Sequence, residues 1–258
     1  MSEEIVDAEI VEEQTPQGPL KVVVIGDNLL AETTFHAFNV PRGVENYMFS
    51  VDQIDEAIEL APSLVFWCEE IPIKKNDSMD DSDFLSGVQK LLRNSPAGLC
   101  VRSTISIELF ERMMMSMGQE MFNRRVTYMP ELSEGKDVAS LLSSPYQLIG
   151  GDSETLQMHM NLLQQTSWFS ANEVRTGTVP EVIYAKLAMS GFRLVQQRYF
   201  DEIFDAVLDM KNANPMVVSR LINASVVPSH VSGVQLYDAR IFSGATDKLT
   251  LLESCLGD

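Results

Sequence analysis

A glycine-bearing turn follows the first buried run of the chain. Leu20 to Ile25 reads as a strand, and Gly26-Asp27-Asn28-Leu29-Leu30-Ala31 comes directly after it. The spacing is that of the G-x-G-x-x-G/A turn. Its first glycine makes the bend, its second lets backbone amides approach a pyrophosphate, and its small third residue lets helix pack on strand. Gly26 and Ala31 keep two of these three positions. Asn28 holds the middle one with a side chain that obstructs, and Asp27 adds negative charge beside the place for an anion. NAD affinity is therefore expected to be weakened, and a turn that merely links strand to helix accounts for the same residues. Asp52, at the end of the next β-rich run, stands where a ribose-binding carboxylate would, or it caps the following helix. Lys186 is a charge in an otherwise apolar helical stretch, either a working ammonium or a lysine whose stem lies along apolar surface.

Nucleophiles and metal ligands are scarcer. Cys68, Cys100 and Cys255 are odd in number and lack CxxC spacing, which points to reduced thiols rather than disulfides or zinc. His36, His159 and His230 show no ligand spacing with each other or with the cysteines, so no metal is expected.

These residues need a scaffold, and the pattern around them supplies one. Strands are expected at Leu20 to Ile25, Tyr47 to Val51, Leu64 to Cys68, Gly98 to Arg102, Arg125 to Tyr128 and Tyr146 to Ile149. Helices are expected at Leu29 to Phe38, Ile54 to Leu60, Phe84 to Leu92, Ile107 to Met117 and from Ser153 to Gln165. Alternation of this kind predicts an α/β fold, a Rossmann-like doubly wound parallel sheet with helices on both faces. Thr178-Val-Pro-Glu181 is a capping box opening a helix to about Met210, roughly 45 Å long. Its apolar positions Ala185, Ala188, Phe192, Val195, Tyr199, Ile203, Phe204 and Val207 spread over more than one face, as in a helix that packs on its own sheet and on a partner. A further helix is expected over Met216 to Ala224. Met113, Met114, Met115 and Met117 are read as packing filler and Trp67 and Trp168 as core.

The formal net charge of -18 argues against nucleic-acid binding, which needs Lys and Arg to neutralise phosphates. Apolar runs such as Val22 to Ile25 fall far short of the roughly 20 residues of a membrane span. A cytoplasmic protein without nucleic-acid or membrane partners is expected. Residues 1–19 are acidic and proline-bearing, and are read as a disordered solvated arm or a docking peptide for a basic partner.

Four segments in order resemble the UDP-glucose and GDP-mannose dehydrogenase family, and look most like its compact members in tailed bacteriophages: Val23-Val-Ile-Gly26, Val101-Arg-Ser-Thr104, Tyr128-Met-Pro-Glu131-Leu-Ser-Glu134-Gly135, and Lys186 to Glu202. The resemblance implies a double hydride transfer to NAD through a covalent thiol intermediate. It places Thr104, Glu131, Glu134 and Lys186 around cofactor and sugar, with the lysine steadying an oxyanion and the carboxylates and threonine organising water and protons. Ser190 replaces the family asparagine. The family cysteine is missing: the matching stretch, Ile241-Phe-Ser-Gly244-Ala-Thr-Asp247-Lys248, keeps only Asp247 and a glycine. On this reading residues 20–177 form a dinucleotide-type domain and 178–258 a helical dimerisation region, without the further nucleotide-sugar domain of complete enzymes. A homodimer through helix 178–210 is expected, with Asp at Phe192 or Phe204 giving a monomer or an insoluble chain. The expectation is a degenerate, non-catalytic binding or interaction module with a nucleotide-sugar ligand or a protein partner. The alternatives are an oxidoreductase working without the covalent step, or a structural part of a larger assembly, in the host cytoplasm if phage-encoded.

Overall fold

The computed structural model describes residues 19–37, 43–74, 79–132, 146–164, 173–208, 210, 212–214 and 216–218. The acidic arm apart from Pro19, together with Glu134, Trp168, His230, Asp247 and Cys255, lies outside them.

Among the described residues the strands are β1 (Leu20–Ile25), β2 (Val44–Phe49), β3 (Leu64–Trp67), β4 (Gly98–Val101), β5 (Val126–Tyr128), β6 (Tyr146–Gly151) and β7 (Glu173–Gly177). They form one sheet in the order β2-β1-β3-β4-β5-β6-β7. The helices are α1 (Leu29–Ala37), α2 (Ile54–Glu59), α3 (Ser82–Asn94), α4 (Ile107–Met117), α5 (Gln119–Arg125), α6 (Ser153–Leu163) and α7 (Val179–Leu208).

Strands β1 to β5 run parallel, and so do β6 and β7 with each other. This is the Rossmann-like α/β fold expected, with one departure: β6 is antiparallel to β5, pairing Thr127 with Gly151 and Tyr128 with Gly150. Apolar patterning reports burial and not strand direction, so the reversal is invisible in the sequence.

Successive residues of the central strands feed two cores. Val23, Ile25, Val65, Trp67, Leu99 and Val101 pack with buried residues of α2, α3, α4, α5 and α7. Val22, Val24, Leu64, Phe66, Cys68 and Cys100 pack with Ala31 and Ala37 of α1 and Leu162 and Leu163 of α6. Burial on both faces explains why β1 and β3 are apolar without alternation. Each fully buried large apolar side chain contributes about 1.5–3 kcal/mol, so α3, which buries Phe84, Val88, Leu91 and Leu92, is held by its face and not by helix propensity.

Several boundaries move. The second strand begins at Val44, and Val51–Gln53, expected to include its end, form a 3-10 turn. Arg125, expected to open β5, closes α5 instead and donates to the carbonyls of Leu92 (2.7 Å), Ser95 (2.5 Å) and Ala97 (2.6 Å). The Leu92 carbonyl lies in the last turn of α3, and those of Ser95 and Ala97 lie in the link from α3 to β4. Helix α5 and the charged edge strand β7, Glu-Val-Arg-Thr-Gly, were not legible: one is short and polar, the other lacks an apolar run. The methionine cluster divides, with Met113 buried and Met115 72% exposed.

The long helix is as expected. Thr178 and Glu181 form the capping box, Thr178 N–H donating to Glu181 Oε2 at 2.7 Å and Glu181 N–H to Thr178 Oγ1 at 3.4 Å. From there α7 runs for 30 residues. It buries Val182, Ile183, Lys186, Leu187, Ser190 and Leu194 against the sheet. The opposite face presents Tyr184, Phe192 and Tyr199 to solvent. Phe204, expected to share that outer face, is buried. Of the expected helix over Met216 to Ala224, residues 216–218 are helical and the rest lie outside the described residues.

Candidate functional site at the carboxyl edge of the sheet

The chain leaves β1 toward β2 on one side and returns through β3 on the other, so the strand order reverses at the carboxyl ends of β1 and β3. In doubly wound sheets ligands bind in the crevice above such a point. The loops after β1, β3, β4 and β5 gather there.

Gly26 ends β1 with φ +140°, which favours glycine, and a Cβ on it would sit 3.1 Å from the Ala31 Cβ and 3.3 Å from the Cys68 carbonyl carbon. Gly26 and Ala31 therefore act together, as their spacing implied. Asn28 does more than obstruct. Its Oδ1 accepts from the Ala31 N–H at 3.0 Å, capping α1, and its Nδ2 donates to the Cys68 carbonyl at 2.8 Å. Asp52 lies at the same sheet edge, exposed, in the turn after β2. It is not the cap the sequence allowed, since Ser50 is the N-cap of the 3-10 turn and Gln53 that of α2.

Thr104 lies half-buried in the loop from β4 to α4, two residues before Ser106, whose Oγ accepts from the Leu109 N–H at 3.1 Å. Its neighbour Arg102, a motif position but not a residue singled out by the sequence, organises this side. The guanidinium is fully buried; Nη1 donates to Thr34 Oγ1 at 2.6 Å, Nε to the Met129 carbonyl at 3.3 Å, and Nη2 to Glu131 Oε2 at 2.9 Å. Glu131 Oε1 accepts from the Leu132 N–H at 2.9 Å. One side chain thus joins α1, the β4 loop and the β5 loop, and both Glu131 oxygens are engaged. Lys186 and Ser190 lie one turn apart on the inner face of α7, 5% and 3% exposed. Three residues further, Arg193 Nη1 donates to the Leu132 carbonyl at 2.8 Å and draws the β5 loop onto the helix. Arg193 carried no recognisable sequence signal. Glu134 and Asp247 lie outside the described residues.

Both described thiols are poor nucleophiles. Burial pushes the Cys68 thiol up to about 11, with Arg102 partly opposing, and the Cys100 thiol up to about 12. A reactive cysteine needs the opposite, an electropositive and partly exposed setting. Among the described residues no group of three or more His, Cys, Asp or Glu could hold a metal ion. No helix among them is long and apolar enough to cross a membrane.

No protein-family model matches the chain, and no curated protein sequence does. Solved structures do. UDP-D-ManNAc dehydrogenase from Pyrococcus horikoshii superposes with a TM-score of 0.74 at 14% identity, over 92% of this chain and 67% of that one. UDP-glucose dehydrogenase from Pyrobaculum islandicum gives 0.73 at 13% identity, over 94% and 68%. The 3-hydroxyisobutyrate dehydrogenase of Mycobacterium tuberculosis gives 0.64 at 13% identity, over 92% and 91%. The chain spans about two thirds of the length of the two sugar-nucleotide enzymes and nearly all of the third. Nucleotide-sugar dehydrogenases are among its structural neighbours, and it shares their fold.

Proposed function

We propose that this chain is a degenerate relative of the nucleotide-sugar dehydrogenases, a dimeric binding or interaction module without catalysis. One observation carries the reading. Glu131, which the resemblance assigns to water and proton traffic, spends one oxygen on the buried Arg102 and the other on the Leu132 N–H. A carboxylate held in a buried ion pair is a fastening; freeing it for proton transfer would leave a guanidinium buried without its counter-charge. The raised thiols of Cys68 and Cys100 point the same way. A nucleotide sugar is the proposed ligand, beside Lys186 and Ser190, and the outer face of α7 is the proposed contact with a second copy. A second reading, an oxidoreductase lacking the covalent step, is favoured by Lys186, which stays buried at the position the resemblance assigns to the oxyanion.

The test combines NAD with UDP-glucose and the purified protein. The expected result is no NADH absorbance, together with a raised melting temperature in UDP-glucose; a ligand at 100 times its Kd stabilises by about 2.7 kcal/mol. Steady NADH formation would establish the second reading and remove the first.

A further inference from the structure

Strand β2 lies at one edge of the sheet, and among the described residues it pairs with β1 alone. Leu20 N–H donates to the Gly43 carbonyl at 2.8 Å and Gly26 N–H to the Phe49 carbonyl at 2.9 Å. In a parallel ladder of this parity, Gly43, Glu45, Tyr47 and Phe49 turn their backbone groups to β1. The N–H and C=O groups of Val44, Asn46 and Met48 therefore point away from the sheet, and among the described residues they have no partner.

An open edge pairs readily with another strand, and proteins blunt such edges with charge, proline or shortness. The opposite edge strand, β7, is blunted in this way, with Glu173 and Arg175 among its 5 residues. Strand β2 has 6 residues, no proline and a single charged side chain, Glu45. Its Met48 is 42% exposed.

A segment outside the described residues joins the sheet beside this edge. The N-terminal arm enters at Leu20, which stands in register with Val44. Within the arm, Ile5-Val-Asp-Ala-Glu-Ile-Val11 is rich in β-branched residues, and extended alternation puts Val6, Ala8 and Ile10 on one face and Asp7 and Glu9 on the other. Val44 packs on the core beneath α1 and α6, so the apolar face of the arm belongs on the side of Val44, Asn46 and Met48. Directly opposed residues share a face, which sets Ile10 against Val44, Ala8 against Asn46 and Val6 against Met48 in an antiparallel pair. Residues 11–19 then cross two strand spacings of about 4.8 Å each, against an extended reach of about 30 Å. Pro16, Gly18 and Pro19 suit the turn this requires. Tethering also supplies the arm at an effective concentration on the order of millimolar.

We propose that residues 5–11 add to β2 as a further, antiparallel strand and cover the open edge of the sheet. The proposal is independent of the crevice and of the nucleotide-sugar reading.

Amide hydrogen exchange of the full chain, resolved at Val44, Asn46 and Met48, tests it in wild type, Ala8→Pro and Asp7→Pro. In wild type the three amides are expected to exchange at least about tenfold more slowly than unstructured ones. Ala8→Pro removes an N–H aimed at β2 and should abolish that protection. Asp7→Pro, at a position whose N–H faces solvent, should keep it. Slow exchange of the Val22 to Ile25 amides in the same samples shows that each variant is folded. Fast exchange of the three amides in wild type would overturn the proposal, and so would an equal response to the two prolines. Protection that grows with protein concentration would assign the edge to a second copy, and would overturn it as well.

Discussion

Arg102 and Glu131 pair a fully buried guanidinium with a carboxylate that is 13% exposed. Removing one partner of such a pair leaves the other charge uncompensated, at a cost of about 3–5 kcal/mol, whereas replacing both with apolar residues is often neutral. Arg102→Met should therefore destabilise by that amount in urea unfolding, and Arg102→Met with Glu131→Leu should recover most of it. A double variant as unstable as the single one would show that the pair is not what holds the two loops. His159 sets a pH limit. It is 1% exposed on α6, with Nδ1 against Thr127 Oγ1 and Nε2 so close to β4 that a Cβ on Gly98 would lie 2.5 Å away. Burial lowers its pKa from 6.5 to about 4. The unfolded chain thus takes up a proton that the folded chain refuses, and stability present above pH 6.5 is lost as pH falls toward 4. The interval amounts to about 3 kcal/mol. Melting temperatures of wild type and His159→Gln across that range should converge toward the acid end, and parallel curves would contradict the assignment.

At the scale of elements, α7 divides its work between two faces. Lys186, Leu187, Ser190 and Leu194 are buried against the sheet, while Phe192 is 67% and Tyr199 59% exposed on the opposite side. An aspartate at Phe204 would damage the core, so it cannot report on association. Phe192→Asp can, since the site is already in solvent. The expected outcome in sedimentation velocity is a monomer whose melting temperature at low concentration matches that of the wild-type monomer. A dimer persisting in Phe192→Asp/Tyr199→Asp would place the contact elsewhere.

For the whole molecule, charge opposes any self-association through α7. Two chains of formal charge -18 repel one another, and salt relieves this by shortening the screening length from about 30 Å at 0.01 M to about 8 Å at 0.15 M. The proposed dimer should therefore tighten as salt rises over that range, the reverse of an interface held by ion pairs. Equilibrium sedimentation at the two salt concentrations reads this directly, and weakening with salt would refute an apolar contact face.

Much of this molecule was legible in the chain. Unbroken apolar runs such as Val22 to Ile25 implied strands covered on both faces, and the Thr178–Glu181 box located the start of the long helix, because burial and capping leave local patterns. The Gly26 to Ala31 spacing located the turn at the switch point for the same reason. Tertiary structure alone decided the antiparallel step at β6, the exposure of Phe192 against the burial of Phe204, and what Asn28 and Glu131 touch. Their partners lie at Cys68 and Arg102, 40 and 29 positions away along the chain. Contacts across such distances leave no periodicity to read, so these links became visible only when the sheet brought the loops together.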